Sequence, residues 1–264
     1  MATALITGAS AGLGREFARL FAADGHDLLL VARRLPELQA LCAQLEQQHR
    51  VKARAIACDL GSKSALDALL VEVQDLELDY LVNNAGFGTV GAFAELPADR
   101  ELAMIELNVA ALVRLTRAVL PGMLARRRGR VLNIGSTAGF QPGPYMATYY
   151  ASKAFVNSFS EALAYEVRGT GVSVTVSCPG PTRTEFGALS GVDKSRLFQF
   201  STASAESVAR AAYRAMQRGR AITVHGFINF VLVQSQRLGP RVLVRAITAL
   251  LIRPPAPARL RGPG

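Results

Sequence analysis

The sequence predicts an α/β domain, a single doubly wound parallel sheet of about seven strands with helices on both faces. Three observations carry this. Short apolar runs of strand length alternate with stretches whose apolar residues recur at helical spacing, as in repeated β/α units. The run Leu28 to Ala32 is apolar throughout, as a strand buried on both faces must be. The first run, residues 3 to 6, ends in Thr7-Gly8-Ala9-Ser10-Ala11-Gly12-Leu13-Gly14 and passes directly into a helical pattern. With 264 residues, 50% of them hydrophobic and 19% charged, the chain is long enough for one large core and too apolar to stay disordered.

In chain order, the glycine turn at 8 to 14 lets the backbone bend tightly and approach a pyrophosphate, and the helix that follows, with Phe17, Leu20 and Phe21 on one side, offers unpaired N–H groups at its start. The second strand ends in Arg33-Arg34 with no acid to close it. In dinucleotide folds an acid here binds ribose hydroxyls and an arginine accommodates a 2′-phosphate, so the pair favours NADP over NAD. Pro36 suits a first helical turn and precedes Leu38, Leu41 and Leu45; Val51 to Cys58 reads as the third strand, closed by Asp59 and Leu60. A helix from about Ser62 to Gln74 leads to a fourth strand, Tyr80 to Val82, that delivers Asn83-Asn84-Ala85-Gly86. Pro97 begins a long helix through Leu102, Ile105, Val109, Leu112, Leu115 and Val119, with the polar Asn108 among its apolar positions. The basic run Arg126 to Arg130 falls in a connection and reads as a solvated loop. The fifth strand, Val131 to Ile134, places Ser136 at the sheet's carboxyl edge, where open α/β sheets bind ligands. A helix carrying Phe155, Phe159 and Leu163 and a sixth strand, Val172 to Cys178, follow. Periodicity is then lost to about Thr202, as in a loop or lid, before a helix over 205–218 and a last strand near 221–225.

Within this frame Tyr149 and Lys153 stand one helical turn apart, so a phenol and an ammonium share a face. A neighbouring cation favours phenolate and is expected to lower the tyrosine pKa, which makes the pair a candidate acid/base unit. Tyr150 is also within reach of Lys153, at a spacing of three.

The net charge of +10 lies wholly in the last quarter: residues 207 to 264 hold ten arginines and no Lys, Asp or Glu, whereas the first 206 residues balance 20 basic against 20 acidic. Cys42, Cys58 and Cys178 are odd in number and widely spaced, which argues against a disulfide framework and a zinc site and for buried thiols in a reducing cytoplasm. The opening Met1 to Gly8 has neither a basic n-region nor a long apolar core and reads as a strand, not a signal peptide. The scattered histidines give no metal site, and the basic tail lacks the aromatic platform of a nucleic-acid binder.

Taken together, TGASAGLG at 7 to 14, NNAG at 83 to 86, Asn108, Ser136, YxxxK at Tyr149 to Lys153 and PGxxxT at 179 to 184 closely resemble the short-chain dehydrogenase/reductase family, over roughly residues 3 to 225. The resemblance implies a Rossmann-type fold for a catalytic domain at 1–225, with 226–264 as an extension. It implies that Gly8, Gly12 and Gly14 line the pyrophosphate, that Arg33 holds the 2′-phosphate, that Asp59 and Leu60 contact the adenine end, and that Asn84 and Gly86 flank the adenosine ribose. Ser10, Leu13, Arg34, Ala85, Pro179, Gly180 and Thr182 are counted with these cofactor positions, and Thr184 with the carboxamide. It further implies Tyr149 as general acid/base, Lys153 as the group that lowers its pKa and binds the nicotinamide ribose, Ser136 on the substrate oxygen and Asn108 in a water-borne proton relay. The expected reaction is NADPH-dependent reduction of a small-molecule carbonyl to an alcohol, by a homodimer or homotetramer.

Past residue 225 no motif helps. Phe227 to Val233 is mostly apolar, Gly239-Pro240 interrupts, and a second helix carries an arginine edge on a wide apolar face. Arg237, the Gly-Pro break and Arg245 deny a membrane span, leaving an interfacial helix, a pocket cover or a subunit interface. Residues 254–264 read as a disordered basic end. The tail charge also motivates a second reading, a cofactor-sensing regulatory protein at a membrane surface. Phe87, Phe140, Pro142, Pro144, Tyr145 and Phe186 are expected near the pocket, which suggests an apolar carbonyl substrate.

Overall fold

The computed structural model describes residues 2–195 and 202–253. Seven strands form one sheet, all neighbours parallel: β1 (Thr3–Thr7), β2 (Asp27–Ala32), β3 (Ala53–Ala57), β4 (Tyr80–Asn83), β5 (Gly129–Ile134), β6 (Val172–Cys178) and, after the two-residue strands β7 (Thr182–Arg183) and β8 (Ala203–Ser204), β9 (Ile222–Val224). Their order is β3-β2-β1-β4-β5-β6-β9, so the winding reverses between β1 and β4. A crevice opens at such a reversal, beyond the strands' carboxyl ends.

The pleat divides the core between two faces. Ala4, Ile6, Leu28 and Leu30 point to one side and pack on α1 (Gly12–Ala23), α2 (Leu35–His49) and α8 (Ala205–Gln217) through Phe17, Phe21, Leu38, Leu45 and Met216. Leu5, Leu29 and Val31 point to the other and meet α3 (Lys63–Val73), α5 (Leu112–Ala125) and α6 (Ala147–Glu166) through Leu66, Leu69, Leu115, Met123 and Leu163. Phe21 fixes α1 against α8 by an edge contact to Tyr213 at 4.9 Å, and the Tyr213 hydroxyl donates to Asp24 at 2.6 Å.

Local chemistry sets the helix starts. Ser62 caps α3 and Ser204 caps α8 by accepting backbone N–H bonds, and Pro36 sits in the first turn of α2, where its missing donor costs nothing. The arginine run at 126–130 is structural: Arg128 pairs with Asp79, Arg126 donates to Leu78 O, and Arg130 donates to Met216 O.

The structure corrects two sequence expectations. The long helix from Pro97 is three segments, α4 (Ala98–Ile105), a π-helical turn (Glu106–Ala111) and α5. The widened turn redirects the side chains that follow and brings Asn108 inward, to 2% exposure. The aperiodic stretch after Thr184 holds α7 (Glu185–Ser190), which is too short to show a period, and β7 pairs with β8 across the intervening segment. Beyond β9, α9 (Phe227–Leu238) and α10 (Arg241–Ile252) flank Gly239-Pro240. Among the described residues no helix is long and apolar enough to cross a membrane. The expected basic end at 254–264 lies outside the described residues.

Candidate active site

A cleft of about 750 Å³ opens at the carboxyl ends of the strands. Its first wall is the β1–α1 turn. Gly8 (φ +65°) and Gly12 (φ +51°) take left-handed backbone that favours glycine. Gly14 does not line the cleft: a Cβ there would overlap the Gly8 carbonyl, so its bareness lets helix and loop touch. Helix α1 starts at Ala11 without a side-chain cap and has no acid in its first turn, so its leading N–H groups stay open to an anion. A bare glycine cradle on an uncapped helix start fits the pyrophosphate of a dinucleotide.

Around that cradle, Asn84 spends its side chain on the loop, donating from Nδ2 to Thr7 O at 2.9 Å and Gly8 O at 3.3 Å, while its backbone N–H donates to Thr7 Oγ1. Arg34 donates to Ser10 Oγ and Glu185, binding the β2 end to α7. Arg33 is exposed and has no acidic partner among the described residues. Leu13, Asp59, Leu60, Ala85 and Gly86 continue this wall, and Pro179, Gly180, Thr182 and Thr184 face it. Thr184 caps α7 and holds its methyl against Gly12, which folds α7 over the cradle.

At the floor stand Ser136, Tyr149 and Lys153. Ser136 Oγ accepts from Ala138 N–H at 3.0 Å, and its backbone carbonyl is held by Asn157 Nδ2, also at 3.0 Å. Lys153, 7% exposed, donates from Nζ to Ile134 O at 2.8 Å and lies 5.9 Å from the centre of the Tyr149 ring. Burial pushes the Lys153 ammonium down to about 8. Burial likewise pushes the Tyr149 phenol up to about 12, with the Ser136 hydroxyl pulling the other way. The shift of Tyr149 is thus upward and not the expected lowering, because loss of water dominates and the Lys153 ammonium is bonded to the Ile134 carbonyl. Tyr150 is 4% exposed, its ring pressed against Gly143, and burial raises its phenol further.

Asn108 also stands off the cleft. Its Oδ1 accepts from Phe87 N–H at 3.1 Å, and its Nδ2 donates to Phe87 O at 2.9 Å and to Ser152 Oγ at 3.1 Å. These bonds tie the side chain to the Phe87 backbone and to Ser152, beside Gly86 and Lys153.

Of the expected pocket residues, Phe87 and Phe186 line the cleft, whereas Phe140, Pro142, Pro144 and Tyr145 do not. Phe140 packs instead with Leu112 and Val156, and Tyr145 with Met146 and Tyr150. Of the places the sequence left open for the extension, the pocket side is occupied: α9 and α10 make the far wall through Asn229, Leu232, Val233, Val244 and Thr248, with Ile252 anchored beside Tyr150. Sequence reasoning missed Asn157. The helical pattern of α10 was visible, but nothing local says which of its faces turns to the cleft. An uncapped anion cradle beside a half-buried tyrosine and a buried lysine and serine can hold a dinucleotide and protonate an oxygen next to it.

The sequence profile of the short chain dehydrogenase family matches residues 2–195. The chain belongs to that family. Family members are oxidoreductases that use a nicotinamide cofactor and act on CH–OH and C=O groups. Among solved structures, a short-chain dehydrogenase from Sphingobium yanoikuyae in complex with NADPH is 32% identical, with a TM-score of 0.82 over 98% of this chain and 100% of that one. A bulky-bulky ketone specific alcohol dehydrogenase from Comamonas testosteroni is 30% identical, with a TM-score of 0.78 over 90% and 93%. A very-long-chain 3-oxoacyl-CoA reductase from Coprinopsis cinerea is 38% identical over 177 residues, 66% of this chain and 52% of that relative. The chain thus spans about half the length of such curated relatives.

Proposed function

We propose that this chain is an NADPH-dependent carbonyl reductase for apolar ketones. The observation that carries the reading is the convergence of Tyr149, Lys153 and Ser136 at the floor of a cleft whose outer wall is mostly aliphatic. The glycine cradle would hold the pyrophosphate of NADPH, whose reduced nicotinamide would supply the hydride. Tyr149, a protonated phenol at neutral pH, gives its proton to the carbonyl oxygen, a contribution of roughly a hundred- to ten-thousand-fold. Ser136 Oγ holds the same oxygen, and the Lys153 charge receives the phenolate that forms. Arg33, exposed and free of acids among the described residues, is the natural partner of a 2′-phosphate, and the NADPH held by the Sphingobium relative supports the same choice.

For the substrate, the Val233, Val244 and Leu251 wall suits an aliphatic chain, and the names of the relatives, a bulky ketone dehydrogenase and a 3-oxoacyl-CoA reductase, support a ketone that carries one. Three buried free thiols suit a reducing, cytoplasmic setting, and we retain a homodimer or homotetramer as the working assembly. The test is NADPH consumption over a series of ketones of increasing chain length. The rate at low substrate should rise by up to about fourfold per methylene, from about 0.8 kcal/mol each, until the cleft is full. A flat series contradicts the apolar reading, and no NADPH consumption contradicts the reductase.

A further inference from the structure

We infer that the outer face of α9 and α10 docks on an anionic lipid bilayer, with the mouth of the cleft turned toward the lipid. Each helix buries one side, through Val233 on α9 and Thr248 and Ile252 on α10, and leaves the other apolar side uncovered. Phe227, Ile228, Val231, Val242 and Leu250 are between 45% and 81% exposed, and none of them lines the cleft. Exposed apolar side chains in such number on two adjacent helices mark an interaction face.

Charge selects the occupant. Arg241 and Arg245 stand exposed one turn apart on α10, with no ion pair among the described residues, and Arg253 ends that helix. From residue 207 onward the chain has ten arginines and no acid. A second copy packed symmetrically on this face would bring arginine to arginine with no carboxylate from the segment to meet it. A bilayer carrying anionic headgroups satisfies both the apolar side chains and the arginines.

The position of the mouth follows from the rim. Leu189 on α7 and Leu232, Leu243 and Ile247 on the extension line the cleft and are still between 49% and 68% exposed. The rim is therefore continuous with the outer apolar face, and docking would place the opening against hydrocarbon.

The sequence has no tryptophan, so single reporters in the full chain are unambiguous. Val242→Trp and Leu250→Trp should shift their emission to the blue on vesicles of phosphatidylcholine with phosphatidylglycerol and not on phosphatidylcholine alone. Val71→Trp, exposed on α3, should shift on neither. Arg241→Gln with Arg245→Gln should weaken vesicle partitioning about thirtyfold, from about 1 kcal/mol for each basic residue near an anionic surface. A cooperative melt establishes that each variant is folded, independently of any turnover. No shift on anionic vesicles, or equal shifts on both compositions, overturns the inference. A dimer in solution that Leu250→Asp dissociates also overturns it, in favour of a second copy on this face.

Discussion

At the scale of single residues, burial shifts the titrations of Tyr149 and Lys153. The Lys153 ammonium sits at about 8 in the folded chain against 10.5 for a free lysine, so between those values the unfolded chain carries a proton that the folded one lacks. Stability from this group therefore rises with pH across that window, by up to about 3 kcal/mol at 1.36 kcal/mol per unit. Lys153→Met removes the titration. Wild type should gain on the variant in melting temperature as pH rises from 7 toward 10, and a constant gap would contradict the buried ammonium. For the cofactor, Arg33→Ala should raise the KM for NADPH by about tenfold to a hundredfold, the worth of a charge-assisted hydrogen bond, and leave the KM for NADH unchanged. An equal change in both would remove Arg33 from 2′-phosphate recognition. The Tyr149–Lys153 pair was legible because a spacing of four fixes a shared helix face; the sign of the tyrosine shift was not, because it depends on burial that no local pattern encodes.

Among the elements, the strands were the most readable, since burial on both faces demands unbroken apolar runs such as Leu28 to Ala32. The π turn at Glu106–Ala111 was hidden because Leu102, Ile105, Val109 and Leu112 keep near-helical spacing through it. Its consequence is the Asn108 clamp on Phe87. Asn108→Ala leaves the Phe87 N–H and C=O and the Ser152 hydroxyl short of partners, at about 1–3 kcal/mol for a buried unsatisfied group. Denaturant unfolding should show that loss, and turnover should fall through kcat, since the 86–87 backbone beside Lys153 loses its anchor. An unchanged midpoint would mean the clamp carries no load. The β7–β8 pair escaped notice because its strands are two residues long and lie far apart in sequence.

At the scale of the whole molecule, the wound sheet supplies a crevice, the β1–α1 turn a dinucleotide cradle, and β5 with α6 the serine, tyrosine and lysine at its floor. The motifs before residue 225 marked most of that cleft because TGASAGLG, NNAG, Ser136 and PGxxxT lie at the carboxyl ends of β1, β4, β5 and β6. The substrate wall came from α9 and α10, which have no motif and whose role depends on how they fold back over the floor. The central claim is that Tyr149 is the proton donor of an NADPH-dependent reduction. Tyr149→Phe and Tyr150→Phe test it side by side, with turnover of an apolar ketone and NADPH binding measured on each. Tyr149→Phe should lower kcat by at least about a hundredfold with NADPH binding within a few-fold of wild type, and Tyr150→Phe should retain turnover. Turnover that survives Tyr149→Phe, or that is lost only in Tyr150→Phe, would contradict the account.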